Sequence, residues 1–228
     1  MDLKEKVVVI TGAANGLGRE LVIAFESEGA KIIASDIDKI KLDILSEEIE
    51  IIPVLADVSK EEDIKKISSR ALFDLGRIDI WINNAGIWLP HARAEELSLI
   101  RIKKMFDVNV FGLMAGSRSA LNIMKRQNSG IILNIISISA LEVHLDSAAY
   151  GASKRAADGF TKGLRLEVET YEGKNIKILS AYPDAIKTEL FNEQKPSDFD
   201  NYLESSDVAQ KIVSNLKLDN PEEEQIIS

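Results

Sequence analysis

Near its start the chain reads V-V-V-I-T-G-A-A-N-G-L-G, Val7 to Gly18, and the fold can be read outward from this stretch. Val7 to Ile10 is an unbroken apolar run of strand length, as expected of a strand covered on both faces. Gly12, Gly16 and Gly18 follow at once, with Asn15 and Leu17 in the same turn, and lead into helical apolar spacing from Leu17 to Glu28. Glycines between strand and helix permit a tight turn and let amides at the helix N-terminus close on a pyrophosphate. A glycine-rich turn alone is weak evidence; its place between the first strand and the first helix points to a dinucleotide site.

Further Val- and Ile-rich runs lie at Lys31–Ser35, Ile51–Ala56, Ile78–Ile82, Gly130–Ile136 and Ile176–Tyr182, with a last apolar fragment at Gln225–Ile227. Between them, helical spacing is predicted over Lys39–Glu48, Glu61–Leu75, Ser98–Arg126, Ala148–Tyr171 and Ser205–Leu216. Strand and helix alternate throughout, so the fold class is α/β, doubly wound, with right-handed crossovers. A length of 228 residues without linker, repeat or low-complexity tract suits one domain spanning residues 1–228.

Composition narrows the function. Cysteine is absent and the histidines are His91 and His144, which excludes Cys-ligated metals and disulfides and leaves little for a His-rich site, so no metal is expected. No stretch approaches the roughly 20 apolar residues of a membrane span, and Val7–Ile10 is too short for a signal-peptide core, so a cytoplasmic location and no membrane partner are expected. A net charge of −9 repels nucleic acid and anionic lipid, and nucleic acid is not an expected partner.

Further landmarks follow in order: Asp57 with Val58 after the third strand, N-N-A-G at Asn83 to Gly86 after the fourth, Asn109 in the long helix, and Ser137 followed by Y-G-A-S-K at Tyr150 to Lys154. With T-G-x-x-x-G-x-G at Thr11 to Gly18, this series resembles the short-chain dehydrogenase/reductase family over nearly the whole chain. The resemblance implies a Rossmann-like, mostly parallel seven-stranded sheet of order 3-2-1-4-5-6-7 with three helices on each face. It implies hydride transfer between nicotinamide and a small-molecule alcohol or carbonyl, and a homodimer or homotetramer formed through the helices carrying Asn109 and Tyr150. It places the substrate oxygen between Ser137, with Ser139 as the nearby rival, and Tyr150. Lys154 would lower the tyrosine pKa and bind the nicotinamide ribose, and Asn109 would hold a water linking Lys154 to solvent. Cofactor contacts are implied at Gly12, Asn15, Gly16, Leu17, Gly18, Asp36, Ile37, Asp57, Val58, Asn84, Ala85, Gly86, Tyr150, Lys154, Pro183, Ile186 and Thr188.

Two of these readings also follow from the residues themselves. Tyr150 and Lys154 stand four apart in a helical segment and project from one face, and an ammonium near a phenol favours the phenolate. Asp36 ends the second strand about twenty residues beyond the glycine turn, where a carboxylate can accept both adenosine ribose hydroxyls and repel a 2′-phosphate. NAD is therefore expected rather than NADP, with neither Asn15 nor Ile37 supplying a base; the competing use of Asp36 is as a helix cap before Lys39. The alternatives are an NADPH-dependent carbonyl or oxoacyl reductase, a nucleotide-binding regulatory protein without turnover, and an epimerase or dehydratase that retains its NAD.

The resemblance also has departures. Y-P-D-A-I-K-T, Tyr182 to Thr188, carries Asp184 where the family has glycine, which puts the local backbone in question. A short substrate-loop region, about 189–204, is rich in turn formers and shows no helical apolar stripe, so an open, shallow site with a mobile lid from Glu189 to Tyr202 is expected. His91, Glu142 and His144 are candidates for polar substrate recognition, and Trp88 and Phe191 for an apolar wall.

Overall fold

The computed structural model describes residues 1–228. Its strands are β1 (Val7–Thr11), β2 (Lys31–Asp36), β3 (Ile52–Leu55), β4 (Ile80–Asn83), β5 (Ser129–Ile135), β6 (Asn175–Pro183) and β7 (Glu224–Ile227). They form one sheet in the order β3-β2-β1-β4-β5-β6-β7, and every pairing is parallel. The expected order is observed, and the sheet is wholly rather than mostly parallel. Helices α1 (Gly16–Ser27), α2 (Lys39–Glu48), α3 (Glu61–Leu75), α4 (Leu99–Phe106), α5 (Leu113–Gln127), α6 (Ala148–Glu169) and α7 (Ser205–Lys217) make the crossovers.

The continuous apolar runs are explained by a strict period of two. Val8 and Ile10 of β1, Ile80 and Ile82 of β4, and Leu179 and Ala181 of β6 join a core under α1, α2 and α7. Val9, Trp81 and Ile178 point the other way, into a second core under α3, α5 and α6. Each inner strand thus buries both faces, which removes the polar alternation of a half-exposed sheet. Local signals set the helix ends: Asn15 caps α1, Asp38 caps α2, Ser98 caps α4, and Gly76, at φ 74°, terminates α3 in the left-handed region.

One expected element is corrected. Ser98–Arg126 is not one regular helix: a π turn at Asp107–Gly112 separates α4 from α5. Asn109 lies in it, and periodicity alone does not reveal a single wide turn inside an otherwise apolar-spaced helix.

Beneath the strand ends runs a buried polar chain. Trp81 Nε1 donates to Asn83 Oδ1 at 2.8 Å, Asn83 Nδ2 donates to Ser117 Oγ at 2.9 Å and to Asn134 Oδ1 at 2.8 Å, and Asn134 Nδ2 donates to Thr161 Oγ1 at 2.8 Å. These bonds join β4, β5, α5 and α6 with their polar groups paired, so the network stiffens the floor on which the site stands. A Cβ at Gly116 would lie 2.2 Å from Asn83 Oδ1, so α5 comes this close only because position 116 has no side chain. No helix is long and apolar enough to cross a membrane.

Candidate active site

In an open parallel sheet a crevice opens at the carboxyl ends of the strands where the connections reverse direction, here between β1 and β4. A cavity of about 1300 Å³ occupies that place. Every cofactor-contact residue expected from the sequence lines it, and so do Ser137, Tyr150 and Lys154.

The glycine turn forms one end. Gly12 sits at φ +63°, and a Cβ there would stand 2.8 Å from Ala85 Cα; a Cβ at Gly18 would stand 1.9 Å from Gly12 O. Backbone contacts as close as these exclude any side chain. The turn is tied to β4 by Thr11 Oγ1, which accepts from Asn84 N at 3.1 Å and Ala85 N at 3.2 Å, while Asn84 Nδ2 donates to Thr11 O and Gly12 O at 2.9 Å each. N-N-A-G therefore buttresses the loop as well as lining the crevice. Asp36 is not the cap of α2; Asp38 Oδ1 accepts from Ile40 N and Lys41 N at 3.1 Å. Asp36 instead accepts from Ala14 N and Asp38 N, at 2.9 Å each.

At the other end, Ser137 follows β5, Tyr150 stands in the first turn of α6 and Lys154 one turn on. Ser139 N donates to Ser137 Oγ at 3.1 Å, so the rival serine helps to orient Ser137. Lys154 is buried, 7% exposed, with its ammonium 5.7 Å from the centre of the Tyr150 ring and donating to Ile135 O at 3.2 Å. Burial draws Lys154 down to about 8. Burial also pushes Tyr150 up to about 12, against the opposing effect of the Ser137 hydroxyl. The expectation that lysine lowers the tyrosine is thus outweighed by desolvation of both groups.

Asn109 is buried behind the cavity. Its Oδ1 accepts from Ile87 N at 2.8 Å, and its Nδ2 donates to Ile87 O at 2.9 Å and to Ser153 Oγ at 3.2 Å. Ser153 Oγ in turn donates to Tyr150 O at 2.7 Å. Sequence reading passed over Ser153, although a serine three residues after Tyr150 on a helix is placed for this back-bond. A Cβ at Gly86 would lie 3.4 Å from Asn109 Oδ1 and 3.8 Å from Lys154 Nζ, so Gly86 keeps open the space between them.

The backbone at Asp184 needs no glycine. Its φ is not positive, its N–H donates to Ile227 O at 2.8 Å, and its carboxylate accepts from Ala185 N at 2.7 Å. The substrate loop departs further from expectation. Phe191 meets Trp88 edge-on at 5.0 Å between ring centres and Tyr202 at 5.4 Å, and Phe199 packs on Tyr202 at 5.5 Å. Arg101 holds Glu193 through its two terminal guanidinium nitrogens. The segment therefore has the apolar contacts that its composition did not promise, because aromatics from two short 3₁₀ turns, Glu189–Phe191 and Phe199–Asn201, converge without any helical stripe. His91 and His144 line the cavity, whereas Glu142 does not.

Comparison with known proteins agrees with this geometry. Residues 6–198 match the short chain dehydrogenase family. An oxidoreductase of Staphylococcus saprophyticus is 32% identical, the match covering 99% of this chain and 94% of that one. A 3-ketoacyl-(acyl-carrier-protein) reductase from Brucella melitensis, solved with NADH, superposes with a TM-score of 0.90 at 28% identity over 99% of this chain and 96% of that one. An alcohol dehydrogenase from the archaeon Thermococcus sibiricus, solved with 5-hydroxy-NADP, superposes with a TM-score of 0.88 at 25% identity over 97% and 95%. From the sheet order, the glycine turn, the Tyr150–Lys154 pair and these matches together, the chain belongs to the short-chain dehydrogenases, NAD(P)-dependent dehydrogenases and reductases.

Proposed function

We propose that the protein is an NAD-dependent oxidoreductase that interconverts an alcohol and a carbonyl. The observation that carries this reading is one cavity with Asp36 and the glycine turn at one end and Ser137, Tyr150 and Lys154 at the other. The residues fit a dinucleotide: the Gly12 backbone is pressed against Ala85 with no room for a side chain, the N-terminus of α1 faces the turn, and Asp36 stands at the end of β2. Gly12, Asn15, Gly16, Leu17 and Gly18 would hold the pyrophosphate, Asp36 the adenosine ribose, and Ile37, Asp57 and Val58 the adenine. Asn84, Ala85, Gly86, Pro183, Ile186 and Thr188 would line the nicotinamide half.

Bound nicotinamide supplies the hydride acceptor or donor. The chain supplies the proton chemistry. Ser137 Oγ orients the substrate oxygen; Tyr150 takes its proton during oxidation and returns one during reduction. A phenol held at about 12 is a poor base, so Lys154 acts as its partner when charged, and Asn109, locked by Ile87, fixes the wall past which the proton leaves. The second reading, an NADP-dependent reductase, needs a cation beside the glycine turn; the ammonium of Lys41 lies there, but it is bound to Glu189, which itself binds Asn15. We further propose a homodimer or homotetramer using α5 with the wide turn that leads into it, which carries Asn109, and α6, supported by the exposure of Phe111 (59%) in that turn and Leu166 (65%) on α6.

Reduced-nicotinamide absorbance, followed over a panel of alcohols, hydroxy acids, sugars and ketones with each cofactor, tests the reading. Tyr150→Phe should cost about 100-fold or more in rate and leave cofactor affinity within a few fold. Retention of a tenth of the wild-type rate would remove Tyr150 from the mechanism.

A further inference from the structure

Glu189, the first residue of the substrate loop, sits across the glycine turn. Its Oε2 accepts from Asn15 Nδ2 at 2.8 Å and takes the ammonium of Lys41 on α2 as a second donor. Both donors converge on one oxygen, so the Lys41 ammonium is held beside Asn15. Asn15 follows Ala14, whose amide donates to Asp36. The ammonium therefore stands beside the turn whose Ala14 amide holds the carboxylate assigned to the adenosine ribose.

The other cations of this corner are also engaged. Arg19 pairs with Glu48 at 2.6 Å and lies 3.6 Å from Glu20, and Lys39 pairs with Asp43 one helical turn on. Asp36 and Asp38 add two carboxylates. A 2′-phosphate arriving here would meet fixed negative charge, and Lys41, the cation held beside Asn15, is already paired with Glu189.

We propose that Glu189 is a specificity-determining residue that acts by sequestering Lys41, making the corner selective for a dinucleotide with a free 2′-hydroxyl. This rests on the assignment of Asp36 to the ribose. Sequence alone could not reveal it, since Lys41 and Glu189 are separated by most of the chain and meet only when the loop lies over the turn. The arrangement also joins two decisions in one side chain: Glu189 both roots the substrate loop and screens the cofactor.

Glu189→Gln isolates the charge, because its amide oxygen can still accept from Asn15 while its hold on Lys41 is weakened. Calorimetric titration of NAD and NADP into the wild type, Glu189→Gln, Lys41→Met and the double variant tests the proposal without reliance on turnover. Glu189→Gln should tighten NADP at least tenfold relative to NAD. Lys41→Met alone should not improve NADP, and added to Glu189→Gln it should cancel the gain. A ratio of dissociation constants that stays within twofold of wild type in Glu189→Gln, or a gain that survives loss of Lys41, overturns the proposal. The wild-type ratio separately tests Asp36: equal affinities there would refute the NAD reading, while the change produced by Glu189→Gln would still decide the role of Glu189.

Discussion

Asn109 and Ile87 lock each other: the Ile87 N–H donates to Asn109 Oδ1 at 2.8 Å, and Asn109 Nδ2 donates back to Ile87 O at 2.9 Å. A side-chain amide here does the work of a neighbouring strand, satisfying the backbone just after N-N-A-G where β4 has ended. Asn109→Ala would leave both backbone groups of the partly buried Ile87 without their partner, at a cost of up to about 1–3 kcal/mol for each that water does not reach. The expected result in urea unfolding is a lower midpoint with an unchanged slope, together with slower turnover. An unchanged midpoint would show that water replaces the amide fully.

The buried lysine predicts a pH dependence of stability. Lys154 is held down to about 8 in the fold, against 10.5 when unperturbed. Its contribution is present above the unfolded value and is lost as pH falls through about 8, because between the two the unfolded chain binds a proton that the native chain does not. Tyr150 has the opposite sign: held up at about 12, its contribution is present below the unfolded value near 10 and is lost as pH rises through about 12. Lys154→Met should therefore be more stable than wild type near neutrality and should flatten the rise between pH 8 and 10, a slope of at most ~1.4 kcal/mol per pH unit. Parallel stability curves for the two proteins would contradict this.

The substrate loop should be ordered before substrate arrives. Slow hydrogen exchange is expected across Glu189–Tyr202 in the free protein, and Phe191→Ala should speed it there while leaving the β-strands unchanged. Phe191 makes edge contacts with Trp88, Phe199 and Tyr202, each worth about 0.5–1.5 kcal/mol beyond simple burial. Fast exchange in the wild-type loop would favour the mobile lid that its composition suggests.

Gly159 and Gly163 leave open space on α6, with nothing within 4 Å of a Cβ at either position, and Leu166 is exposed beyond them. If this face packs on a second copy, as proposed, Gly163→Arg should reduce the sedimenting species to a monomer without lowering the unfolding midpoint of the chain itself. An unchanged sedimentation coefficient would place the contact elsewhere.

The strands and the line of the crevice were legible because their signals are local and dense. Val7–Ile10, Lys31–Ser35 and Ile78–Ile82 are each buried on both faces, and Asn15 and the glycines sit where strand turns into helix. Tyr150 and Lys154 stood out as a short spacing on one helix, whereas Ser137, thirteen positions earlier and just beyond β5, came from the family resemblance. What escaped were relations between distant segments. Lys41 with Glu189, Arg101 with Glu193, and Trp88 with Phe191 each join parts of the chain that no periodic pattern connects, and the loop read as open because its aromatics are too few and irregular to register as a stripe. The shift of Tyr150 to about 12 escaped for another reason: spacing gives proximity to Lys154 but not the loss of water around both groups.

The wide turn at Asp107–Gly112 has a consequence for changes in chain length. An α-helix advances about 100° per residue, so an additional residue would throw α4 out of phase with α5 unless the turn widened to take it up, as this one does. Deleting one residue, Val108 for example, would let the turn relax to ordinary α geometry with a continuous hydrogen-bond ladder and little local penalty. Because the wide turn already takes up that residue, the segments on either side would keep nearly the same angular phase, with Arg101 still facing Glu193 and Met105 still in the core. A one-residue deletion here should thus spare the fold and fall on the residues of the turn itself, Asn109 and its bonds to Ile87 first among them.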